Sequence, residues 1–497
     1  MSTPAGQSAN DPPEGLDPAD WAALRAQAHR MLDDMLDHVQ GVSDGPVRRP
    51  IPGTVRAVFA EPLSTGPSSL EAVHRDFLDR VLPYGAGNGH PGFMGWVHGG
   101  GTVVGMLGEM LAAGLNANLG GRDQSPILLE RQVARWAADL FGFPETASGL
   151  FVTGTSIANF IAVLVARRAA LGAGVRTGGV AGTGKRLVAY AGAAAHGCVP
   201  SAFDMAGIGS DALRLIPSDA DGRIEVASLE AAIRADRAAG AAPFMLVGTA
   251  GSVDIGAIDD LTALADLAER EGLWLHVDGA FGALAMLSPA LAPRLKGIER
   301  AQSIAFDFHK WGQVPYDAGF ILVRDREAHR AAFAADAAYL KQAATGLAGG
   351  SPWPCDFGPD LSRGFRALKT WFTLRVLGPE AIGASILKTC QMAAYLAARV
   401  DAAPELERLA PVGLNIVCFR FADAPGDLDA LNAGIVARLQ DSGVAAPSTT
   451  TLGGRLAIRA AIVNHRTREA HIDALVEGVL ALGRSAAAER SRQPLSV

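Results

Sequence analysis

The chain has 497 residues, 49% hydrophobic and 19% charged, with a net charge of −7. That length provides for two to three domains of ordinary size and a large buried core. Sparse charge of net acidic sign excludes a general nucleic-acid footprint, which needs a basic face.

The first twenty residues, MSTPAGQSANDPPEGLDPAD, are polar, Pro-rich and acidic, and lack the basic start and apolar core of a secretory signal. Mean hydropathy is +0.19, but alanine supplies it, and apolar stretches such as FIAVLVA (160–166) are too short to span a bilayer. The four cysteines, Cys198, Cys355, Cys390 and Cys418, are scattered without a CxxC pair. Neither a disulfide framework nor a zinc site is expected, and a reducing compartment fits. The expectation is a soluble cytoplasmic protein with no metal.

In chain order, residues 1–18 read as a disordered arm. Residues 19–40 have helical periodicity, with Leu24, Ala28, Met31, Leu32 and Met35 on one face. A proline-punctuated linker follows, then a helix through Val81. Helices joined by an extended linker have little core of their own, so this arm is expected to wrap the main domain or a second subunit.

From about 148 to 325, short apolar runs alternate with amphipathic segments. The predicted strands are LFVTG (150–154), RLVAYA (186–191), LRLIP (213–217), FMLVGT (244–249), LWLHVD (273–278), QSIAFD (302–307) and GFILV (319–323). Strands alternating with helices predict an α/β domain with a doubly wound, mostly parallel sheet, whose ligands bind at the carboxyl ends of the strands. Beyond 380, a helix leads to LNIVCFRF (414–421), a helix over 427–440, RLAIRAAIV (455–463) and a helix over 468–483. This reads as a small α+β domain interrupted by Pro-rich breaks at 403–411 and 445–448.

Only six of the 44 basic residues are lysine: Lys185, Lys296, Lys310, Lys341, Lys369 and Lys388. Lysine does chemistry that arginine cannot. Lys310, in SIAFDFHKWGQVPYDAGFILV, lies just beyond a core strand in a mostly apolar surround. An ordinary lysine there snorkels its ammonium to water; a desolvated one becomes a nucleophile able to form a Schiff base. Its companions bear on the choice. Asp278 ends the apolar strand LWLHVD, where it either caps the next helix or faces a cation such as a protonated pyridine nitrogen. Gly279 and Ala280 after it are small enough for a flat ring to approach. In VTGTSIANF, Gly154-Thr155-Ser156 joins a strand to a helix, either as a plain N-cap or as a phosphate cradle. His196, in AAAHGCVP, is structural, or stacks on a ring or shuttles protons. The other five lysines read as solvated helix or loop positions.

Together these segments resemble the group II pyridoxal-phosphate-dependent amino-acid decarboxylases, whose fold is fold type I, the aspartate-aminotransferase-like PLP-dependent transferase fold. TGTSIAN is similar to the family's S-G-G-T-E-A-N loop, AHGC to A-H-x-S, HVDGAFG to H-V-D-A-A-Y-G, and DFHKW to D/N-P-H-K-W. HPGFMGW (90–96), SPILLERQVARW (125–136) and LSRGFRALKTWF (361–372) also match in order, so the resemblance spans about residues 20 to 483.

The resemblance implies pyridoxal 5′-phosphate as cofactor, with Lys310 its covalent anchor. It implies that Asp278 keeps the ring nitrogen protonated, His196 stacks on one ring face and Ala280 packs on the other. Gly154, Thr155 and Ser156 would hold the phosphate with His309 close by, and Thr249 would add a hydrogen bond near the cofactor. His90, Pro91 and Phe93 would line the substrate side chain, in part across a dimer interface, and Trp96 would join them, with Trp353 a further aromatic. It implies a homodimer with an amino-acid substrate, aromatic on balance, and no nucleic-acid or membrane partner. The domains would be a 1–18 disordered arm, a 19–90 helical arm on the dimer partner, a 91–380 cofactor-binding domain and a 381–497 small domain.

Three departures stand out. Ala250 follows Gly248-Thr249 where the family has a second Thr, and Cys198 replaces the Ser of A-H-x-S. The family also carries a loop tyrosine that protonates the substrate carbon after CO₂ leaves. The stretch KQAATGLAGGSPWPCDFGPD has none, and Phe357 is the best match to its position. Phe there is associated in the family with oxidative deamination to an aldehyde, so amine and aldehyde are both open as products.

Rival classes fare worse. GVAGTGKR (179–186) has the spacing of an NTPase phosphate loop, but Arg186 replaces the magnesium-binding Ser/Thr and the glycines precede a strand. No GxGxxG follows the first strand of the wound sheet, which disfavours a dinucleotide-binding dehydrogenase. A catalytically silent relative is disfavoured by the joint presence of Lys310, Asp278 and His196.

Overall fold

The computed structural model describes residues 15–334 and 343–492. Residues 1–14 of the expected N-terminal arm, Lys341 and residues 493–497 lie outside the described residues. The chain forms two compact units: the smaller runs to Asp44 and includes Pro50–Gly85, and the larger comprises Gly45–Arg49 and Ala86–Val497.

The smaller unit contains helices Trp21–Gln40, Gly53–Val58 and Leu70–Arg80. Asp20 caps the first through the Ala22 and Ala23 N–H groups, and Ser69 caps the third through Ala72. The only side chains these three helices bury are Gln27 and His74, hydrogen-bonded to each other at 3.1 Å. No apolar residue of these helices is buried.

The larger unit is built on two sheets. In chain order its strands are β1 (Phe93–Met94), β2 (Ser148–Val152), β3 (Leu187–Gly192), β4 (Leu213–Ile216), β5 (Ala242–Thr249), β6 (Trp274–Asp278), β7 (Ser303–Asp307), β8 (Gly319–Val323), β9 (Leu406–Arg408), β10 (Ile416–Phe421), β11 (Ala446–Leu452) and β12 (Arg455–Ala461). The first sheet has the order β2-β8-β7-β6-β5-β3-β4 and is parallel apart from β8, which runs antiparallel to both neighbours. These are the seven predicted strands. Their near-continuous apolar character follows from burial on both faces. Leu150, Val152, Ala305 and Ile321 pack with the helix Thr155–Leu171 on one face. Phe151, Phe306, Phe320 and Leu322 pack on the other with the helices Ser125–Leu140 and Leu261–Glu271.

The second sheet has the order β1-β11-β12-β10-β9. Two of its strands correct the sequence reading, since β9 and β11 lie in the stretches taken as breaks, 403–411 and 445–448. β11 tolerates Pro447 because that residue pairs only with the two-residue edge strand β1, in parallel register opposite Met94. Lys369 is a further correction: it is buried (1% exposed), with Nζ 3.0 Å from Glu109 Oε2. Its helix, Arg366–Leu377, packs closely on the helix Val103–Leu115, where a Cβ at Gly108 would stand 2.9 Å from Lys369 Cα. Lys185 is exposed on the glycine-rich turn preceding β3, Lys296 is exposed, and Lys388 is half-buried on the helix Pro379–Asp401. No described helix is long and apolar enough to cross a membrane.

Candidate active site

The parallel strands of the large sheet bring their carboxyl ends to one cavity of about 360 Å³. β2 ends in Thr153-Gly154-Thr155-Ser156, the segment after β3 supplies His196 and Cys198, β5 ends at Thr249, and β6 at Asp278 with Ala280 beyond. β7 contributes Asp307, followed by His309 and Lys310. Segments more than a hundred residues apart in sequence thus converge because each lies at the same end of a parallel strand. Thr249 and Asp278 are register partners on adjacent strands.

Asp278 is buried, with Oδ2 accepting from Asn159 Nδ2 at 3.0 Å and Oδ1 from the Ala280 N–H at 3.1 Å. Burial pushes its carboxyl pKa up, against the pull of Asn159 and Lys310. A cation brought to its free face would offset that desolvation. Lys310 Nζ instead lies 2.9 Å from Asp307 Oδ2, while Asp307 Oδ1 accepts the Thr155 N–H at 2.8 Å. One carboxylate therefore ties the lysine to the first turn of the cradle helix. Asp307 was missed from sequence, although it carries the same signal as Asp278, a carboxylate closing an apolar strand.

His309 is held by the Ala318 N–H donating to its Nδ1 at 3.0 Å, and burial lowers its pKa, favouring the neutral ring. His196 Nδ1 accepts from the Cys198 N–H at 3.1 Å. Burial pushes the Cys198 thiol up to about 12, so it is an un-ionised neighbour. Thr249 N–H donates to Asp259 Oδ2 at 2.7 Å, which anchors the strand end behind its cavity-facing side chain.

Trp96 lines the cavity, as do two residues absent from the predicted set, His98 and Tyr316. The Tyr316 ring lies 4.3 Å from that of His309, and burial raises its phenol pKa, keeping it protonated. Burial and then Lys310 lower the pKa of His98, keeping it neutral. His90, Pro91 and Phe93 do not line this chain's own cavity: they are buried where β1 joins the C-terminal sheet, and Phe93 reaches the lining through ring contacts with His98 at 5.7 Å and Trp96 at 6.2 Å. Phe357 is also displaced from its expected place. Its ring is packed in this chain's own core, 5.2 Å from His329, on the face carrying the helix Thr155–Leu171. Trp353 is buried too, its Nε1 donating to the Gly349 carbonyl at 2.7 Å. Apolar side chains of a loop find the nearest core, which the loop's own sequence does not show.

The cavity fits a phosphorylated pyridine. Thr155 Oγ1 is fully buried without a hydrogen-bond partner at the start of a 17-residue helix, where a phosphate oxygen would satisfy it. Asp278 stands across the cavity lining for a ring nitrogen, and Lys310 supplies an amine for an aldehyde.

The comparisons agree. The family model described as the pyridoxal-dependent decarboxylase conserved domain matches residues 52–422. An aromatic-L-amino-acid decarboxylase of Bacillus atrophaeus is 32% identical over 455 residues, covering 89% of this chain and 92% of the relative. An L-2,4-diaminobutyrate decarboxylase of Rhizobium meliloti (strain 1021) is 33% identical over 404 residues, covering 80% and 78%. The crystal structure of Oryza sativa TDC with PLP and tryptamine superposes with a TM-score of 0.87 at 25% identity, covering 95% of this chain and 100% of that one. A lysine, two strand-end aspartates and a glycine-threonine-serine helix start meet at the carboxyl ends of one sheet's strands, and the family model matches most of the chain's length, so the chain belongs to the pyridoxal-dependent decarboxylases, fold type I enzymes that remove the carboxylate of an amino acid with pyridoxal phosphate.

Proposed function

We propose that the substrate is an aromatic L-amino acid and that the product is its amine. The observation carrying this reading is the cavity wall: Trp96, His98, Phe281 and Tyr316 face the space beside Lys310. Among the described residues its only carboxylates are Asp278 and Asp307, both engaged at strand ends, and no arginine lines it. Neither a cationic nor an acidic side chain would find a counter-charge there, whereas a flat ring would find aromatic surfaces.

Pyridoxal phosphate, when bound, supplies an aldehyde that condenses with amines and a protonated ring that takes up the electron pair released with CO₂. The chain's residues do the rest. Gly154, Thr155 and Ser156 bind the phosphate, and Asp278 holds the proton on the ring nitrogen. Ala280, His196, Thr249 and His309, which line the same cavity, would contact the ring. Lys310, held by Asp307, would be the amine that anchors the cofactor's aldehyde. Orienting the carboxylate bond across the ring plane is then a matter of positioning. Tyr316 is this chain's own group for returning a proton to the α-carbon, since its phenol stays protonated inside the cavity. We further infer that two copies form the working enzyme.

The test is an amino-acid panel with CO₂, amine, aldehyde and peroxide measured together. Aromatic substrates should give CO₂ and amine in equal amounts, and Lys310→Ala should abolish both CO₂ release and the visible absorbance of the bound cofactor. Turnover of L-2,4-diaminobutyrate alone would overturn the aromatic reading. The missing loop tyrosine favours a second product, so aldehyde with peroxide would show that oxidation by dissolved O₂, which is reduced to the peroxide, replaces the protonation step. For the phenol, Tyr316→Phe should slow amine formation by roughly 10²–10⁴-fold, and an unchanged rate would remove it from the reaction.

A further inference from the structure

We propose that a buried one-way hydrogen-bond chain, Trp274–Ser303–His276–Asn159, turns the Asn159 amide N–H₂ towards Asp278 and stabilises its anion, and that this strengthens the cavity's preference for a cofactor ring carrying a basic nitrogen. The inference rests on the reading of Asp278 as the partner of that nitrogen.

The chain runs behind β6. Trp274 Nε1 donates to Ser303 Oγ at 2.8 Å, His276 Nδ1 lies 2.8 Å from the same oxygen, and His276 Nε2 lies 2.8 Å from Asn159 Oδ1. Asn159 Nδ2 donates to Asp278 Oδ2 at 3.0 Å. Ser303, His276 and Asn159 are all at most 1% exposed, so water cannot substitute for a missing partner. Burial lowers the His276 pKa to about 3, so the ring is neutral and carries one proton.

Two polarities are conceivable for such a chain. In the first, the indole N–H, which can only donate, occupies one lone pair of Ser303, and the serine hydroxyl donates to His276 Nδ1. His276 then carries its proton on Nε2 and donates to Asn159 Oδ1, leaving the Asn159 amide N–H₂ to meet Asp278. Every group is matched, and the donated N–H stabilises Asp278 most when it is ionised. In the second polarity, Asn159 is turned over and presents its carbonyl to Asp278, which must then be protonated. His276 Nδ1–H and the indole both donate to Ser303, whose own hydrogen has no acceptor in the chain. The fixed donor at Trp274 therefore selects the first polarity, in which Asp278 meets a donor and its anion is the form stabilised. The second Asn159 amide hydrogen points the same way, since Nδ2 also lies 3.3 Å from Cys198 Sγ.

An aspartate held ionised in an apolar surround seeks a cation, and a ring nitrogen that takes up a proton meets that need. None of the four chain members lines the cavity, so they are positioning residues. The experiment is cofactor discrimination by the cofactor-free full-length protein. Its affinity is measured for pyridoxal 5′-phosphate and for the 1-deaza analogue, in which CH replaces the ring nitrogen. The native protein should prefer the natural cofactor strongly. Ser303→Ala and Asn159→Ala should each narrow that preference about tenfold, the scale of one buried hydrogen bond to a charge. Trp274→Phe should narrow it by less, and Ser303→Thr, which keeps the hydroxyl, should restore it. Trp274 is only partly buried, so its variant keeps the test open if a core variant does not fold. An unchanged preference in folded variants, with the native protein discriminating, overturns the chain alone. A native protein indifferent to the two cofactors overturns the Asp278 reading and the chain with it.

Discussion

Arg363 and Glu130 are almost sealed from water, with side chains 1% and 4% exposed, and they form a two-pronged pair with Nη2–Oε1 at 2.5 Å and Nη1–Oε2 at 3.2 Å. The guanidinium also donates to the Leu119 and Phe151 carbonyls, tying the segment before the helix Arg366–Leu377 to β2. Arg363→Met would strand a buried carboxylate, and a loss of about 3–5 kcal/mol is expected, read as a lowered thermal midpoint. Replacing Glu130 with Leu in that background should recover much of it. Lys369 behaves differently, because its partner Glu109 is half exposed and can return to water. Lys369→Met should therefore leave the bound cofactor's absorbance in place, where Lys310→Ala removes it. Two enclosed lysines are thus separated by what faces them, a solvated glutamate or a cavity.

At the scale of elements, the cradle depends on how closely β8 passes the end of β2. A Cβ at Gly319 would stand 2.3 Å from Gly154 Cα, a backbone atom that cannot swing away. A Cβ at Gly154 would meet nothing closer than His309 Cε1 at 3.8 Å, and its φ of −178° is open to any residue. Gly319→Ala should accordingly cost about 1–3 kcal/mol by overpacking and weaken cofactor binding, while Gly154→Ala should retain the fold. Equilibrium dialysis of the cofactor and thermal unfolding of both variants check the contrast. Asp259 serves the neighbouring strand, accepting from the Thr249 and Ile224 N–H groups at 2.7 and 2.8 Å, and burial pushes its pKa up to about 6.

Across the whole molecule, burial sets the direction of the pH response. His276 and His329 are lowered to about 3 and His465 to about 4, each by burial first. A histidine kept neutral when folded takes up a proton on unfolding, so its contribution is present above the unfolded value near 6.5 and is lost as pH falls through the folded one. Asp259 acts oppositely: its increment is full below about 4 and lost as pH rises through about 6. His98, His309 and His471 are lowered by burial as well, while Asp278 is raised like Asp259, so six histidines against two aspartates predict a thermal midpoint that falls between pH 7 and 5; a rise would show that the aspartates dominate. The smaller unit raises a different whole-molecule question, since its helices bury no apolar residue and Trp21, Phe59 and Leu63 are 60%, 65% and 96% exposed. Such surface is expected to be covered by a second copy. Light scattering should then give twice the chain mass, shifting to the monomer when Trp21 and Phe59 are both replaced by Asp.

Local pattern alone was enough for the seven strands of the large sheet, because each is a long apolar run bounded by turn residues, and burial on both faces demands that pattern whatever the partners. It also marked Lys310, Asp278, His196 and Gly154-Thr155-Ser156, which stand at strand ends where polarity interrupts an apolar run. Only the tertiary structure decided β1, β9 and β11, which are short, proline-bearing or threonine-rich and become strands by pairing with remote segments. The same holds for Asp307 between lysine and cradle, for the burial of Lys369, and for the placing of Phe357 and Phe93 in the core while His98 and Tyr316 face the cavity. A side chain's periodicity is written in its neighbours along the chain; its partner is set by which distant segment the fold brings against it.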